Sequence, residues 1–127
     1  MSAQQTCPFC QPEAVLLQNE LAFALFDRSP VTPGHMLLIP RRHVADWFET
    51  TADERVHLMT LADEARAVLI QERRPDGFNL GVNVGMAAGQ TVFHVHLHLI
   101  PRYVGDVANP RGGVRGVIPA MQNYDRL

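Results

Sequence analysis

Three histidines at alternate positions, His94, His96 and His98, stand in the stretch Gln90-Thr91-Val92-Phe93-His94-Val95-His96-Leu97-His98-Leu99-Ile100. Successive side chains of a β-strand point to opposite faces, so a strand here puts the three imidazoles on one face, roughly 6.5–7 Å apart. Phe93, Val95, Leu97 and Leu99 then line the opposite, core-facing side. Imidazole can bind a metal, move protons near neutral pH or attack an electrophile. A single strand histidine is usually a solvated or hydrogen-bonded residue; three in strict alternation are poorly explained that way.

Metal binding by the row itself is limited by reach. A strand H-x-H pair can offer two imidazoles to one zinc ion, but His94 and His98 lie about 13 Å apart on an extended strand, too far to share it. At most two neighbours bind together and the third stays free. Nucleophilic use agrees better with what precedes the row. Gly89-Gln90-Thr91 supplies backbone N–H groups, an amide and a hydroxyl, and donor-rich turns of this kind receive anions. A donor-rich turn beside an imidazole points to phosphoryl or nucleotidyl transfer, in which the protein positions a phosphate and offsets its charge.

A second cluster of reactive side chains is the pair Cys7 and Cys10, spaced C-x-x-C, the only cysteines in the chain. Such a pair is a redox motif or half of a metal site, or two inert thiols. Its place near the N-terminus, with Pro12 close behind rather than inside a βαβ unit, favours half a metal site.

The elements that must position these residues can be taken in order. Ala14 to Gln18 and Leu21 to Asp27 are short apolar runs separated by Asn19-Glu20, a hairpin pattern. Asp27-Arg28-Ser29-Pro30-Val31-Thr32-Pro33-Gly34 is a breaker-rich loop leading into His35-Met36-Leu37-Leu38-Ile39, a central strand that stops at Pro40. A short helical piece is expected around Ala45 to Phe48. Thr51 and Glu54 form a capping box opening a helix to about Arg74, ended by Pro75-Asp76-Gly77. Val56, Met59, Ala62, Ala65, Val68 and Leu69 are expected on its buried face, with Asp53, Arg66 and Glu72 in water. Phe78 to Val84 reads as a strand joined through Gly85 to Gln90 to the histidine strand. The sum is an α+β domain, a mostly antiparallel sheet with one long helix packed on it. The 127 residues form one domain (1–127), with a core of about 7–103 and an irregular C-terminal tail of about 104–127.

Composition narrows the function classes. A net charge of -2 gives no basic excess of the kind nucleic-acid binding requires, so no nucleic-acid partner is expected. No apolar run approaches the ~20 residues of a membrane span, and the N-terminus has no signal-like segment. With two cysteines of thiol character, a cytoplasmic location without a membrane partner is the expectation.

Gly89-Gln90-Thr91-Val92-x-His94-x-His96-x-His98-Leu99-Ile100-Pro101-Arg102 resembles the signature of the histidine triad (HIT) superfamily. Upstream, Asp27-x-Ser29-Pro30 and Pro33-Gly34-His35-x-Leu37-x-Ile39-Pro40-Arg41 resemble that family's first block, and the likeness runs from about Cys7 to Tyr103. The resemblance implies a homodimer joined into a continuous sheet. It implies a hydrolase or nucleotidyl transferase acting on the α-phosphate of an adenosine or guanosine adduct. The substrate would be a dinucleoside polyphosphate or a nucleoside phosphoramidate. By this likeness His96 is the nucleophile that forms a covalent nucleotidyl-histidine, later released as nucleoside monophosphate. His98 bonds the α-phosphate or leaving oxygen, the His94 carbonyl orients His96, and His35 supports the triad. Asp27 falls on the ribose hydroxyls, Asn83 on phosphate or ribose, and Gly89, Gln90 and Thr91 on phosphate oxygens. Phe9, Leu25 and Phe26 would line a base pocket. Some family members hold a structural zinc, and Cys7, Cys10, His43 and His94 are the matching ligands here. In the tail, Arg111 or Arg115 would reach a distal phosphate. Two other classes stay open: a nucleotide-binding or scaffold module with weak activity, and a zinc-dependent hydrolase using the triad as ligands.

Overall fold

The computed structural model describes residues 6–124. Its sheet has five antiparallel strands, β1 (Leu17–Gln18), β2 (Ala22–Phe26), β3 (Met36–Pro40), β4 (Gly77–Val82) and β5 (Leu97–Arg102), in the order β1-β2-β3-β5-β4. One long helix, α1 (Ala52–Arg73), covers one face. The α+β expectation therefore holds, with β3 central as its wholly buried residues require.

The hairpin between β1 and β2 turns at Asn19, whose side-chain oxygen accepts from the N–H groups of Leu21 and Ala22. Such an Asx turn replaces a backbone turn. Helix α1 opens with the anticipated capping box. Thr51 Oγ1 accepts from the Glu54 N–H at 3.0 Å while Glu54 Oε1 accepts from the Thr51 N–H at 2.9 Å. It closes at Arg74 in the left-handed region, just before Pro75.

The buried stripe of α1 differs from the expected one. Leu58, Leu61, Ala62, Ala65 and Leu69 are buried, whereas Val56 and Met59 are exposed at 62% and 39%. Apolar residues flank both sides of the true stripe, so periodicity alone leaves its phase open by about one residue. Contact with Ala22, Ala24, Met36 and Leu38 of the sheet decides it. Glu54 is buried as well, because Arg42 donates to both of its oxygens, at 2.8 and 3.1 Å.

A second correction concerns the histidine row. Strand β5 begins at Leu97, so His94 and His96 precede it. The Val95 N–H donates to the Val44 carbonyl at 2.8 Å instead of to a neighbouring strand, and the ladder with β3 runs only over Leu97, His98 and Leu99. Phe93 is exposed, while Val95, Leu97 and Leu99 are buried as expected.

Side-chain alternation on β5 sends Leu97 and Leu99 toward the helix and His98 and Ile100 to the other face. There His98 is flanked in register by Leu37 of β3 and Gly81 of β4. Chemistry and core thus occupy opposite faces of one sheet.

The Arg42 hydrogen bonds, with smaller help from Thr51, pull the Glu54 carboxyl below its usual value. A carboxyl lowered in the folded state contributes stability that is present above its unfolded pKa, about 4.3, and lost as pH falls through the folded value. Thr51→Ala is expected to lower the unfolding free energy by about 1 kcal/mol, read from the urea midpoint at neutral pH. An unchanged midpoint would contradict the capping role.

Candidate active site

The loop from Asp27 to His35 is closed by one main-chain bond and one bond to the Asp27 side chain. The Asp27 N–H donates to the His35 carbonyl at 2.9 Å, and Asp27 Oδ1 accepts from the Ser29 N–H at 2.8 Å. Thr32 is buried and donates its hydroxyl to the Pro101 carbonyl. This brings Asp27 and His35 under His98.

The hydrogen-bond partners assign the protons. His35 Nδ1 lies 3.0 Å from the Val31 N–H, which only donates. Nδ1 therefore carries the lone pair and Nε2 the proton. His35 Nε2 is 3.0 Å from His98 Nδ1, so it donates there and leaves the His98 proton on Nε2. His96 Nδ1 is 2.9 Å from the His94 carbonyl, which only accepts. His96 therefore carries a proton on Nδ1, and in the neutral tautomer its lone pair is on Nε2. The His96 and His98 rings stand side by side, with ring centroids 5.0 Å apart.

Burial disfavours the charged forms of His98 and His35. Desolvation lowers the His98 pKa to about 4, with His96 and His35 adding to it. It lowers His35 too, against the opposing pull of Asp27, whose Oδ2 is 3.6 Å from Nε2.

His94 faces elsewhere. Fully buried, it donates Nε2–H to the Pro40 carbonyl at 2.7 Å, leaving the Nδ1 lone pair on Cys7 Sγ at 3.3 Å and Cys10 Sγ at 3.5 Å. Cys10 Sγ is 3.0 Å from His43 Nδ1. The four ligand atoms of Cys7, Cys10, His43 and His94 lie within 4.8 Å of one another. A tetrahedral ion with zinc–sulfur bonds near 2.3 Å and zinc–nitrogen bonds near 2.0 Å needs ligand separations of roughly 3.5 Å. The set fits zinc in donor type, number and spacing, and the Pro40 bond fixes the His94 tautomer. Burial, with Cys7 beside it, raises the Cys10 thiol to about 11, a state that a nearby cation reverses.

Asp27, His35 and His98 also bring ligand atoms within 4.8 Å. The Val31 N–H argues against an ion there, because it forces the proton onto the His35 nitrogen that would have to coordinate. Within that trio His35 and His98 are hydrogen-bonded and Asp27 stands 3.6 Å from His35 Nε2. His96 joins no metal-competent cluster among the described residues, so the zinc hydrolase built on the triad loses its ligand set.

Two cavities share Asp27 as a lining residue, and the larger of them also reaches His98. One, of about 480 Å3, is walled by Phe9, Leu16, Leu25, Phe26 and Leu37. The other, of about 670 Å3, is bounded by β4, with Asn83 at its edge, and by residues of the tail. Phe9 packs edge-on to both His96 and His94, with ring centroids 5.0 and 6.0 Å apart.

The expected phosphate turn is placed differently. Gln90 is buried and its amide is committed to the main chain: Oε1 accepts from Gly85 N–H, and Nε2 donates to the Ala45 and Val92 carbonyls. Gly89 and Thr91 are exposed and line neither cavity. Arg111 and Arg115 turn onto the Tyr124 ring and donate to tail carbonyls, so neither side chain is aimed at the site. The Val31 amide and the tail residues at the second cavity were not singled out from the sequence. A backbone donor carries no residue signature, and the tail has no periodicity.

The site is thus carried by a five-stranded sheet with one covering helix, and it sets the His96 and His98 imidazoles side by side. Residues 9–105 match the family model described as the HIT domain. The chain is 36% identical over 93 residues to AP-4-A phosphorylase of Mycobacterium tuberculosis, covering 72% of this chain and 48% of that protein. It is 38% identical over 95 residues to bis(5'-adenosyl)-triphosphatase of Dictyostelium discoideum, covering 75% and 64%. It thus spans about half to two thirds of these relatives. Among solved structures, a zinc-bound histidine triad family protein from Mycobacterium smegmatis superposes with a TM-score of 0.75 at 31% identity, covering 84% of this chain and 81% of that one. The protein belongs to the histidine triad family.

With its pKa held near 4, His98 is expected to keep unchanging ring-proton NMR shifts from pH 8 down to about 5.5, gaining its proton only near pH 4. A His98 transition near the ordinary 6.5 would contradict the buried neutral pair.

Proposed function

We propose that this chain cleaves a nucleotide adduct at its α-phosphate by way of a covalent nucleotidyl-histidine, releasing a nucleoside monophosphate. The observation that carries the reading is the bare Nε2 of His96, held by the His94 carbonyl beside the donating Nε2–H of His98. The His96 lone pair attacks phosphorus. The bond to the leaving group breaks, its electron pair departs with the leaving atom, and that atom takes a proton from solvent. Water then attacks phosphorus, the P–N bond returns its pair to Nε2, and the water's proton goes to solvent. His98 donates to the phosphoryl or leaving-group oxygen, where charge grows.

The nucleoside lies in the apolar cavity of Phe9, Leu25 and Phe26, where Asp27 accepts from the ribose hydroxyls. Asn83, on the opposite cavity, contacts the phosphate or what is attached to it. The adduct is a dinucleoside polyphosphate or a nucleoside phosphoramidate, the first in keeping with the names of the two curated relatives. Cys7, Cys10, His43 and His94 hold a structural zinc, which cross-links the N-terminal segment to the residue that orients the nucleophile. A second copy of the chain packs on the free edge of β4 and on the exposed stripe of Val56, Met59 and Ile70. No helix among the described residues is long and apolar enough to cross a membrane.

Two experiments test this. Incubating the protein with an adenosine adduct labelled at the α-phosphate is expected to leave acid-labile label on wild-type chain. His96→Ala should take up none and turn over at least about a thousandfold more slowly. Equal turnover by the variant would overturn the nucleophile. Metal analysis of purified protein should find one zinc per chain, with Cys10→Ser losing both the metal and thermal stability; a metal-free wild type of unchanged stability would remove the zinc.

A further inference from the structure

A third cavity, of about 530 Å3, is walled by the Asp27–His35 loop, and Asp27 is the one residue that lines all three. It shares Phe26 with the apolar cavity, and Val31 and His35 with the cavity at His98. Its far side is formed by Gly34 of the loop and by Arg73 in the last turn of α1. The loop is clamped from below. The Thr32 hydroxyl donates to the Pro101 carbonyl, and the Tyr103 hydroxyl donates to the Pro33 carbonyl at 2.6 Å. Pro30 and Pro33 further restrict its backbone, so the cavity is formed in advance of any ligand.

Arg73 is the feature of this cavity that packing does not explain. A cation in a last helical turn can bond the final carbonyls. Here the closing bond comes instead from the Arg74 N–H, given to the Ile70 carbonyl at 3.2 Å. The Arg73 side chain has no hydrogen bond or ion pair among the described residues. Its guanidinium lies over the Phe26 ring, with Cζ 5.8 Å from the centroid. A guanidinium held on an aromatic face keeps its N–H edge free for a carboxylate or phosphate. Its stem runs beside Gly34, where φ is +94° and a Cβ would lie 3.5 Å from Arg73 Cγ and 2.9 Å from Leu69 Cδ2. Two other cavity-lining arginines are paired: Arg28 faces Glu13 at 3.6 Å, and Arg102 donates to both Asp106 oxygens at 2.7 Å.

A nucleoside 5′-phosphate leaves its ribose in three directions: the base at C1′, the phosphate at C5′, and the diol edge at C2′ and C3′. Three cavities that share one carboxylate match those directions. With the base in the apolar cavity and the phosphate at His98, the diol edge faces Asp27 and the third cavity beside it. Asp27 Oδ1 already accepts from the Ser29 N–H at 2.8 Å, which leaves Oδ2 as its freer acceptor. One ribose hydroxyl is enough to use it. A phosphate monoester on the other ribose oxygen would then give the Arg73 fork the bidentate partner it lacks.

Resting on the proposed nucleoside pocket, we propose that the third cavity is a ribose-phosphate subsite, in which Arg73 binds a phosphate monoester carried on the 2′ or 3′ oxygen of the nucleoside. The substrate class it selects is an adenosine adduct with one phosphate on the ribose edge in addition to the α-phosphate. Asp27 holds the hydroxyl that stays free, and Arg73 offsets the repulsion between the Asp27 carboxylate and the added phosphate. No bond forms or breaks in this cavity; it acts on affinity alone.

The test is calorimetric titration of the full chain, at low ionic strength, with AMP, adenosine 2′,5′-bisphosphate and adenosine 3′,5′-bisphosphate. One of the bisphosphates should bind about fivefold more tightly than AMP, the effect of one arginine–phosphate pair, and which one does so names the ribose oxygen. The gain should shrink as salt is raised. Arg73→Gln should bring the ratio of the two dissociation constants to about one, the loss of that same pair. Arg66→Gln removes a cation of the same helix that lies over the Phe78 ring, outside this cavity, and should leave the ratio at its wild-type value. Bisphosphates bound no more tightly than AMP would overturn the subsite and leave the nucleoside pocket intact. So would a preference that survives Arg73→Gln or falls equally with Arg66→Gln. Binding of none of the three nucleotides would overturn the nucleoside pocket and this inference with it.

Discussion

The bond from His96 Nδ1–H to the His94 carbonyl is the constraint on which the site depends, because it decides which nitrogen of the proposed nucleophile is free. That carbonyl is held from three directions. The ring of the same residue is tied through Nε2 to the Pro40 carbonyl and faces the two cysteines through Nδ1. The next residue's N–H is bonded to Val44. A carbonyl with so little freedom acts as a preorganised acceptor, and preorganised dipoles contribute to catalysis because they need no rearrangement as charge develops. The cysteine pair therefore bears on His96 through His94.

The second nitrogen assignment travels the other way, outward from the backbone. Val31 N–H sets His35, His35 sets His98, and His98 is left with its proton aimed away from both. Desolvation keeps each ring neutral, so the network does not rearrange across the pH range where a free histidine titrates. The sheet makes this arrangement affordable. Its helix-facing side buries Leu58, Leu61, Leu69, Met36, Leu38, Leu97 and Leu99, each worth about 1.5–3 kcal/mol relative to exposure. The other side is thereby left open to carry polar residues and two cavities.

Much of this was legible in the residues. The capping box, the hairpin at Asn19, the central strand after His35 and the α+β class follow from local rules, and the structure has them. The four residues Cys7, Cys10, His43 and His94, widely separated in the chain, meet in one cluster. What escaped the sequence depends on tertiary contact. Alternation alone cannot tell that β5 begins at Leu97, because the pairing with β3 stops at Leu38–Leu97 and the Val95 N–H turns to the Val44 carbonyl. The phase of α1 was unreadable for a similar reason, since a valine and a methionine on the flank look no different from leucines on the stripe. Gln90 looked like a phosphate donor until its three main-chain partners were visible. The tail turns on left-handed glycines such as Gly112, which leave no hydrophobic period to find.

The most direct test is a long-range proton–nitrogen NMR correlation on protein with 15N-labelled histidine, near neutral pH, resolving the tautomer of each triad ring. The account predicts His96 protonated at Nδ1 with a lone-pair shift at Nε2, and His98 protonated at Nε2 with a lone-pair shift at Nδ1. A His96 proton on Nε2 would leave no nucleophile facing the site and would contradict the account at its centre.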